Sequence, residues 1–254
     1  MGKINRIITM NLRKLVLSAL CALSLIGSSA MAETPGGFLT LNAHLLGGGS
    51  YVTNNYKSCY PSINQVNTSM GGAIGVGIGA QLAVARHWSV VTEFNFIRKT
   101  TTMDFTATGD EGTGVSNVFQ KNKFWTIDVP VYLRWTRTLA PSVAWNVDLG
   151  LFYAYGTGGD QNNTIYDVKS NDLGQTIQDV TALNVGYFND DRGMINTHWR
   201  SDIGFHIGTG LVFFRHLTVG VRTHFGLKNV ARSNGIVHPN SHNIDVLAVI
   251  GWNF

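Results

Sequence analysis

The chain has 254 residues, of which 44% are apolar and only 13% are charged. Its formal net charge of +4 reflects 19 basic and 15 acidic side chains. Four of the bases lie in the amino-terminal stretch that we expect to be removed: Lys3, Arg6, Arg13 and Lys14. The rest of the chain is close to neutral, which excludes the electrostatic attraction on which nucleic-acid binding depends.

The first 32 residues are typical of an export signal. The four bases precede an apolar run at 15–27, and Ala30-Met31-Ala32 fits a small-x-small cleavage site. Because the apolar run is too short to span a bilayer as a helix, we expect cleavage after Ala32 and a single domain over residues 33–254. Cys59 would then be the only cysteine, so no internal disulfide can form.

The remaining chain has no stretch that approaches the roughly 20 apolar residues of a membrane helix. Instead it alternates between apolar and polar residues, most clearly over 199–228, where two alternating runs are joined by about three residues. This pattern is typical of a β-hairpin. One parity is apolar and suits lipid, whereas the other mixes glycine with Asp, Arg and His and suits a crowded lumen.

The same alternation, followed in chain order, predicts eight strands. They cover residues 38–46, 72–84, 88–99, 124–136, 143–155, both halves of 199–228, and 243–254. Long loops are expected at 47–69, 102–122, 156–197 and 231–241, alternating with short turns as in outer-membrane barrels. Residues 176–188 have some β character, and they either extend a hairpin above the membrane or add a strand pair to make ten strands.

A membrane protein built from strands must close on itself, because lipid cannot satisfy open backbone groups. The sequence therefore predicts an all-β fold, a closed antiparallel transmembrane β-barrel with eight strands or, as the alternative, ten.

The inward parity collects charges of both signs, which we interpret as a lumen charge network. If Phe213 pairs with Leu217 in the hairpin, His206 lies opposite His224. The same register places Asp202 opposite Lys228, and we expect these two side chains to form an ion pair. The predicted network contains Glu93, Asp128, Arg134, Asp148, Arg200, Asp202, His206, Arg222, His224, Lys228 and Asp245.

The outward parity carries aromatic side chains near the strand ends. This is the placement of interfacial girdles, where an amphipathic ring lies between lipid and water. The predicted girdle contains all six tryptophans and the final residue: Trp88, Trp125, Trp135, Trp145, Trp199, Trp252 and Phe254.

Several segments in this order resemble the PorT-like outer-membrane β-barrel family, small barrels of the OmpA/OmpX type from Bacteroidetes-type bacteria. They are Gly-Ile-Gly-Ala-Gln-Leu at 77–82, Ile-Asp-Val-Pro-Val-Tyr-Leu at 127–133, Gly-Thr-Gly-Leu at 208–211, and the aromatic carboxyl end. The resemblance implies a barrel in the bacterial outer membrane, and the terminal Trp252-x-Phe254 looks like the signal that the barrel-assembly machinery reads during insertion. It assigns no reaction.

Motifs that carry chemistry are few. His206 and His224 provide only two ligands, too few for a typical metal site, so we expect no metal and no cofactor. His87-Trp88-Ser89 matches the His-x-Ser motif of small barrels that deacylate lipid A, but the predicted topology places it at the periplasmic end without an acidic partner. We therefore expect no enzyme activity, and a lipid A hydrolase is the least favoured function.

Eight strands enclose an interior just wide enough for side chains to fill, which argues against a channel unless there are ten or more strands. We therefore expect an envelope-structural or surface-interaction platform that contacts outer-membrane lipid and a surface or envelope protein. Tyr166, Tyr187 and Phe188 in the third long loop are the candidate contact residues. The family resemblance suggests, as an alternative, an accessory role in secretion or envelope assembly.

Overall fold

The structure, a computed structural model, describes residues 38–108, 114–170, 176–188, 198–232 and 237–254. The predicted export signal lies outside these residues. In chain order, the elements are β1 (Leu39–Asn54), α1 (Tyr56–Cys59), β2 (Ile63–Ala85), β3 (Trp88–Thr108), β4 (Gly114–Ala140), β5 (Val143–Ser170), β6 (Thr176–Gly186), β7 (Ser201–Phe213), β8 (Leu217–Gly226) and β9 (Ser241–Asn253). Within the described ranges, no helix is long and apolar enough to cross a membrane.

Eight of the strands form a closed antiparallel ring. Its hydrogen-bonded order is β1-β2-β3-β4-β5-β7-β8-β9, and β9 pairs back onto β1 from Asn42 opposite Asn253 to Asn54 opposite Ser241. The predicted fold, a closed antiparallel transmembrane β-barrel, is confirmed. In the described part of the chain, β6 pairs only with the outer half of β5, so the ring has eight strands and the ten-strand alternative is not formed.

Period-two alternation places the side chains of the barrel wall. Along β7, buried and exposed positions alternate almost without exception, since successive side chains of a strand point to opposite faces. Phe213 pairs with Leu217 and His206 with His224, the register that the hairpin spacing predicts. Pro130 interrupts the ladder between β3 and β4, because proline has no N–H to donate. Pairing stops at Val131 and resumes at Asp128 in the same register.

The strands extend much further on one side of the barrel than the sequence predicts. Residues 47–54 and 63–69 are strand, most of 102–122 belongs to β3 and β4, and much of 156–197 belongs to β5 and β6. The prediction of loops there was wrong. Beyond the membrane no face of the sheet contacts lipid, so the apolar alternation is lost while the backbone ladder continues, for example between Asn117 and Tyr166.

Glycines on the inner face of β2 make room for side chains from the neighbouring strands. A Cβ at Gly77 would lie 1.9 Å from Oδ1 of Asn95 and 2.5 Å from Nε2 of His44, two atoms that share a 2.7 Å hydrogen bond. A Cβ at Gly47, on the outer face of β1, would have no atom within 4 Å. The two glycines therefore offer a matched pair for testing how tightly the lumen is packed.

We expect Gly77→Ala to lower the free energy of unfolding by about 2 kcal/mol, because the added methyl group must displace the hydrogen bond between His44 and Asn95. Gly47→Ala is the control and should change it by less than about 0.5 kcal/mol. Urea unfolding in detergent micelles measures both values. Equal effects of the two substitutions would show that the lumen is not packed as described.

Candidate functional site

The lower half of the lumen, which lies next to the short turns, is filled by a network around Arg134. Its Nε and Nη2 donate to the two carboxylate oxygens of Asp148, both at 2.8 Å, and Nη1 donates to Gln81 at 3.1 Å. Tyr132 accepts from Arg134 at 3.1 Å and donates its hydroxyl proton to Glu93 at 2.6 Å. Because Arg134 and Asp148 are direct cross-strand neighbours, this bidentate pair follows from the register of β4 and β5.

A second ion pair crosses the full width of the barrel. Arg222 on β8 donates to Glu93 on β3, and both side chains are buried. His44 lies 3.5 Å from the same carboxylate and hydrogen-bonds to Asn95. In this layer the acids Glu93 and Asp148 balance the two arginines, so the lower lumen carries no excess charge.

The upper half of the lumen lies towards the long outer strands and is organised around Lys99. The network predicted from the sequence does not include this residue. Its Nζ lies 2.9 Å from Asp128 and 2.7 Å from Asp245, and the side chain is almost fully buried. Lys99 shares the inward parity of Glu93 and Asn95, and that parity is the signal that could have identified it. The predicted strand ends at this residue, where the alternation gives least guidance.

His206 and His224 contact each other between the two charged layers. Nδ1 of His206 and Nε2 of His224 are 2.9 Å apart. The ring of His206 stacks on Tyr132 and that of His224 on Phe152, with centroid distances of 4.4 and 4.6 Å. Nδ1 of His224 faces the Asp128 carboxylate at 3.7 Å.

One predicted member of the network, Arg200, lies elsewhere. Arg200 is exposed, and it donates to the carbonyl oxygens of Gly156 and Thr157 at 3.1 and 3.2 Å instead of facing the lumen. It precedes β7, so the strand parity does not apply to it. The prediction that placed Arg200 in the lumen was wrong.

The expected ion pair between Asp202 and Lys228 is also absent from the described residues. Asp202 accepts from Asn243 and from the N–H of Ile203, both at 2.8 Å, while Lys228 donates to Ser201. The N–H groups of Leu227 and Lys228 both point at the carbonyl of Ile203. The ladder therefore ends at Gly226, and the extrapolated register does not reach Lys228.

Aromatic side chains close the outer mouth of the lumen. Tyr187 stacks between Phe124 and His198 with centroid distances of 4.3 and 4.5 Å, and Phe188 meets Phe124 edge-on. Tyr187 and Phe188 are buried, so the expectation that they form an exposed contact surface was wrong. Tyr166, the third residue of that set, remains exposed on β5.

Small spaces lie within the polar network in the described part of the chain. One cavity of about 20 Å³ lies under the aromatic lid beside Lys99 and Asp202. Another of about 10 Å³ lies near Arg134 and Arg222. Each has room for about one water molecule. The lumen is therefore filled by its own side chains.

The predicted girdle residues lie on the outer surface in two groups. Trp88 pairs with Trp135, which packs edge-on against Trp145, close to the short turns; Trp252 and Phe254 lie at the same end. Trp125 and Trp199 lie towards the outer end, where Trp125 stacks on Phe96 at 4.8 Å and Arg232 covers the ring of Trp199 at 4.3 Å. Ten residues separate Trp125 from Trp135 on β4, which gives an apolar belt of about 25 Å for a tilted strand.

The His-x-Ser motif lies at the short-turn end of the barrel, which is the periplasmic end in outer-membrane barrels. Ser89 is fully buried and accepts a hydrogen bond from Gln81 at 3.1 Å. The carbonyl of His87 accepts from the N–H of Thr136 in the neighbouring strand. Both residues are thus part of the barrel floor, away from the outer leaflet.

Beyond the membrane, the outer sheet consists of the outer halves of β2 to β5 together with β6. α1 packs Tyr56 onto its inner side with Met103 and Phe105, and this burial raises the pKa of the Tyr56 phenol. At the opposite end of the sheet, β6 has all side chains from 176 to 184 exposed. One side of β6 pairs with β5, and no described strand covers the other side.

These features define a transmembrane β-barrel with a filled lumen and an outer sheet that, among the described residues, ends in an unpaired edge. The sequence model of the outer membrane protein beta-barrel domain family matches residues 29–232, which is most of the chain. The chain belongs to this family, and it is located in the bacterial outer membrane. No curated protein matches it.

Solved structures with a similar course of the chain include two outer-membrane proteins. Ail, the attachment invasion locus protein of Yersinia pestis, is 11% identical, with 85% of this chain and 99% of that chain covered and a TM-score of 0.38. OprG from Pseudomonas aeruginosa is also 11% identical, with 89% and 99% covered and a TM-score of 0.37. Likenesses at this level carry no information on the activity of this chain.

We expect the purified protein to show no steady single-channel conductance in planar bilayers, because paired side chains fill the lumen and leave cavities of about one water each. A mock preparation from cells that lack the protein serves as the control for contaminating porins. A stable open level that is found only with the protein would contradict a filled lumen.

Proposed function

We propose that this protein is a non-enzymatic surface-interaction platform, in which the filled barrel holds an outer sheet that binds another protein. The observation that carries the proposal is the open edge of β6. An unpaired strand edge presents a row of N–H and C=O groups, and an extended segment of a partner can add to it as a further strand.

Apolar side chains beside this edge support the proposal. On the outward face of the outer sheet, Val180 of β6 pairs with Tyr166 of β5, which pairs with Asn117 of β4 between Val115 and Phe119. All four apolar side chains are exposed, Val180 to 59%. Phe119 lies six residues beyond the girdle residue Trp125, so lipid does not cover this patch. Exposed apolar groups next to an open edge are typical of an interaction surface.

The filled lumen supports a platform more than a channel. Membrane channels need a continuous water path, whereas the cavities beside Lys99 and near Arg134 each hold about one water molecule. The interior instead stabilises the ring with ion pairs that connect distant strands, which suits a rigid support for the outer sheet.

A second candidate is an accessory role in secretion or envelope assembly. The resemblance of residues 77–82, 127–133 and 208–211 to PorT-like barrels favours it, and the contact surface would then be the short periplasmic turns. Two of these turns carry the sequence Arg-His, at 86–87 and 215–216. The two functions thus place the partner on opposite sides of the membrane.

Site-specific photo-crosslinking in living cells separates these functions. We expect a photoreactive residue at Val180 to form an adduct with a partner protein, and excision of residues 163–184 to abolish partner recovery while the barrel is retained. Positions Arg215, in a periplasmic turn, and Leu149, exposed to lipid, are the matched controls. Adducts at Arg215 but not at Val180 would contradict the platform and favour the accessory role.

A further inference from the structure

The upper layer of the lumen holds more negative than positive charge. Among the described residues, Lys99 is the one lysine or arginine that forms ion pairs with the carboxylates of this layer, which come from Asp128, Asp245 and Asp202. The lower layer is balanced, with Glu93 and Asp148 against Arg134 and Arg222. An excess of buried negative charge is costly, because side chains inside a barrel have little water to solvate them, and a further cation would stabilise this layer.

Unpartnered atoms show where that cation would bind. Oδ1 of Asp128, Oδ1 of Asp245 and Nδ1 of His224 have no hydrogen-bond partner among the described residues. These three residues are almost completely buried, with exposed fractions of 0%, 1% and 2%. Buried polar atoms are nearly always satisfied in folded proteins, so unpartnered atoms on three neighbouring buried residues leave room for a further partner.

The three side chains converge on a common point. They come from β4, β8 and β9, and each offers one ligand atom within 4.8 Å of the others. The imidazole of His224 is held in place by the hydrogen bond to His206 and by stacking on Phe152. A neighbour that fixes the second ring nitrogen is a regular feature of metal-binding histidines.

We propose that Asp128, His224 and Asp245 bind a divalent transition-metal ion of the Zn²⁺ class inside the lumen. One imidazole and two carboxylates are a donor set that suits Zn²⁺ and its first-row neighbours better than Ca²⁺ or Mg²⁺, which prefer oxygen ligands alone. Metal–ligand bonds of about 2.1 Å require the ligand atoms to move inward by about 1 Å, which side-chain rotation can supply.

Lys99 competes with the metal for both carboxylates. Its ammonium group lies 2.9 Å from Asp128 and 2.7 Å from Asp245, so it must move when the metal binds. The cavity of about 20 Å³ borders Lys99 and Asp202, and it offers the ammonium group a place next to the third carboxylate. Lys99 thereby sets the metal affinity and keeps the cluster stable when no metal is bound.

The test uses the full barrel, purified in detergent, stripped with a chelator and titrated with Zn²⁺ by calorimetry and with Co²⁺ by visible absorption. We expect one equivalent of metal in the wild type and at least about tenfold weaker binding in His224→Gln. His44→Gln removes another buried lumen histidine and should bind as the wild type does. Heat-dependent gel mobility checks that both variants are folded.

Lys99→Met provides an independent test, because a misfolded variant would not bind Zn²⁺ more tightly than the wild type. We expect it to bind Zn²⁺ about tenfold more tightly than the wild type, because the competing charge is removed. Its thermal midpoint should fall without metal and recover when Zn²⁺ is added, whereas Arg98→Met on the opposite face should show neither effect. Absence of metal binding by the wild type, undiminished binding by His224→Gln, or weaker binding by Lys99→Met would each overturn the proposal.

Discussion

The ion pair between Glu93 and Arg222 joins two strands that lie four places apart in either direction around the eight-stranded ring. Its position follows from a constraint that governs the whole interior. A ring of eight strands is just wide enough for side chains to fill, so each inward charge needs a charged or hydrogen-bonding partner within the lumen. A buried charge without one costs several kcal/mol. The glycines of β2 and the stacked histidines are consequences of the same shortage of space.

A lumen filled in this way connects the walls of the barrel to one another. Charged layers connect opposite walls, and Tyr187 closes the outer mouth over them by stacking on Phe124. The long strands on one side of the ring then continue as the outer sheet, in which one edge of the last strand, β6, pairs with no described strand. The filled interior and the outer sheet are therefore continuous parts of the same strands, and the barrel holds the outer sheet beyond the membrane.

Sequence patterns predict the membrane-spanning part well because lipid on one face and a polar lumen on the other impose strict alternation. The eight-stranded ring, the register at Phe213 and Leu217 and the outward tryptophans all follow from that rule. Alternation does not extend past the membrane, so the same patterns predict loops in place of strands there, assign Arg200 to the lumen and place Tyr187 at the surface. Lys99 shows what the sequence pattern cannot predict. Its inward parity can be read from the sequence, but its two acidic partners come from β4 and β9, and only the closed ring brings them together.

The claim that paired charges across the lumen hold the ring together is tested most directly by a double-mutant cycle on Glu93 and Arg222. Unfolding free energies of Glu93→Gln, Arg222→Met and the double variant, measured by urea titration in micelles, give the coupling between the two walls. We predict a favourable coupling of about 2 kcal/mol, with the double variant more stable than the sum of the single losses implies. Additivity within about 0.5 kcal/mol would contradict the account.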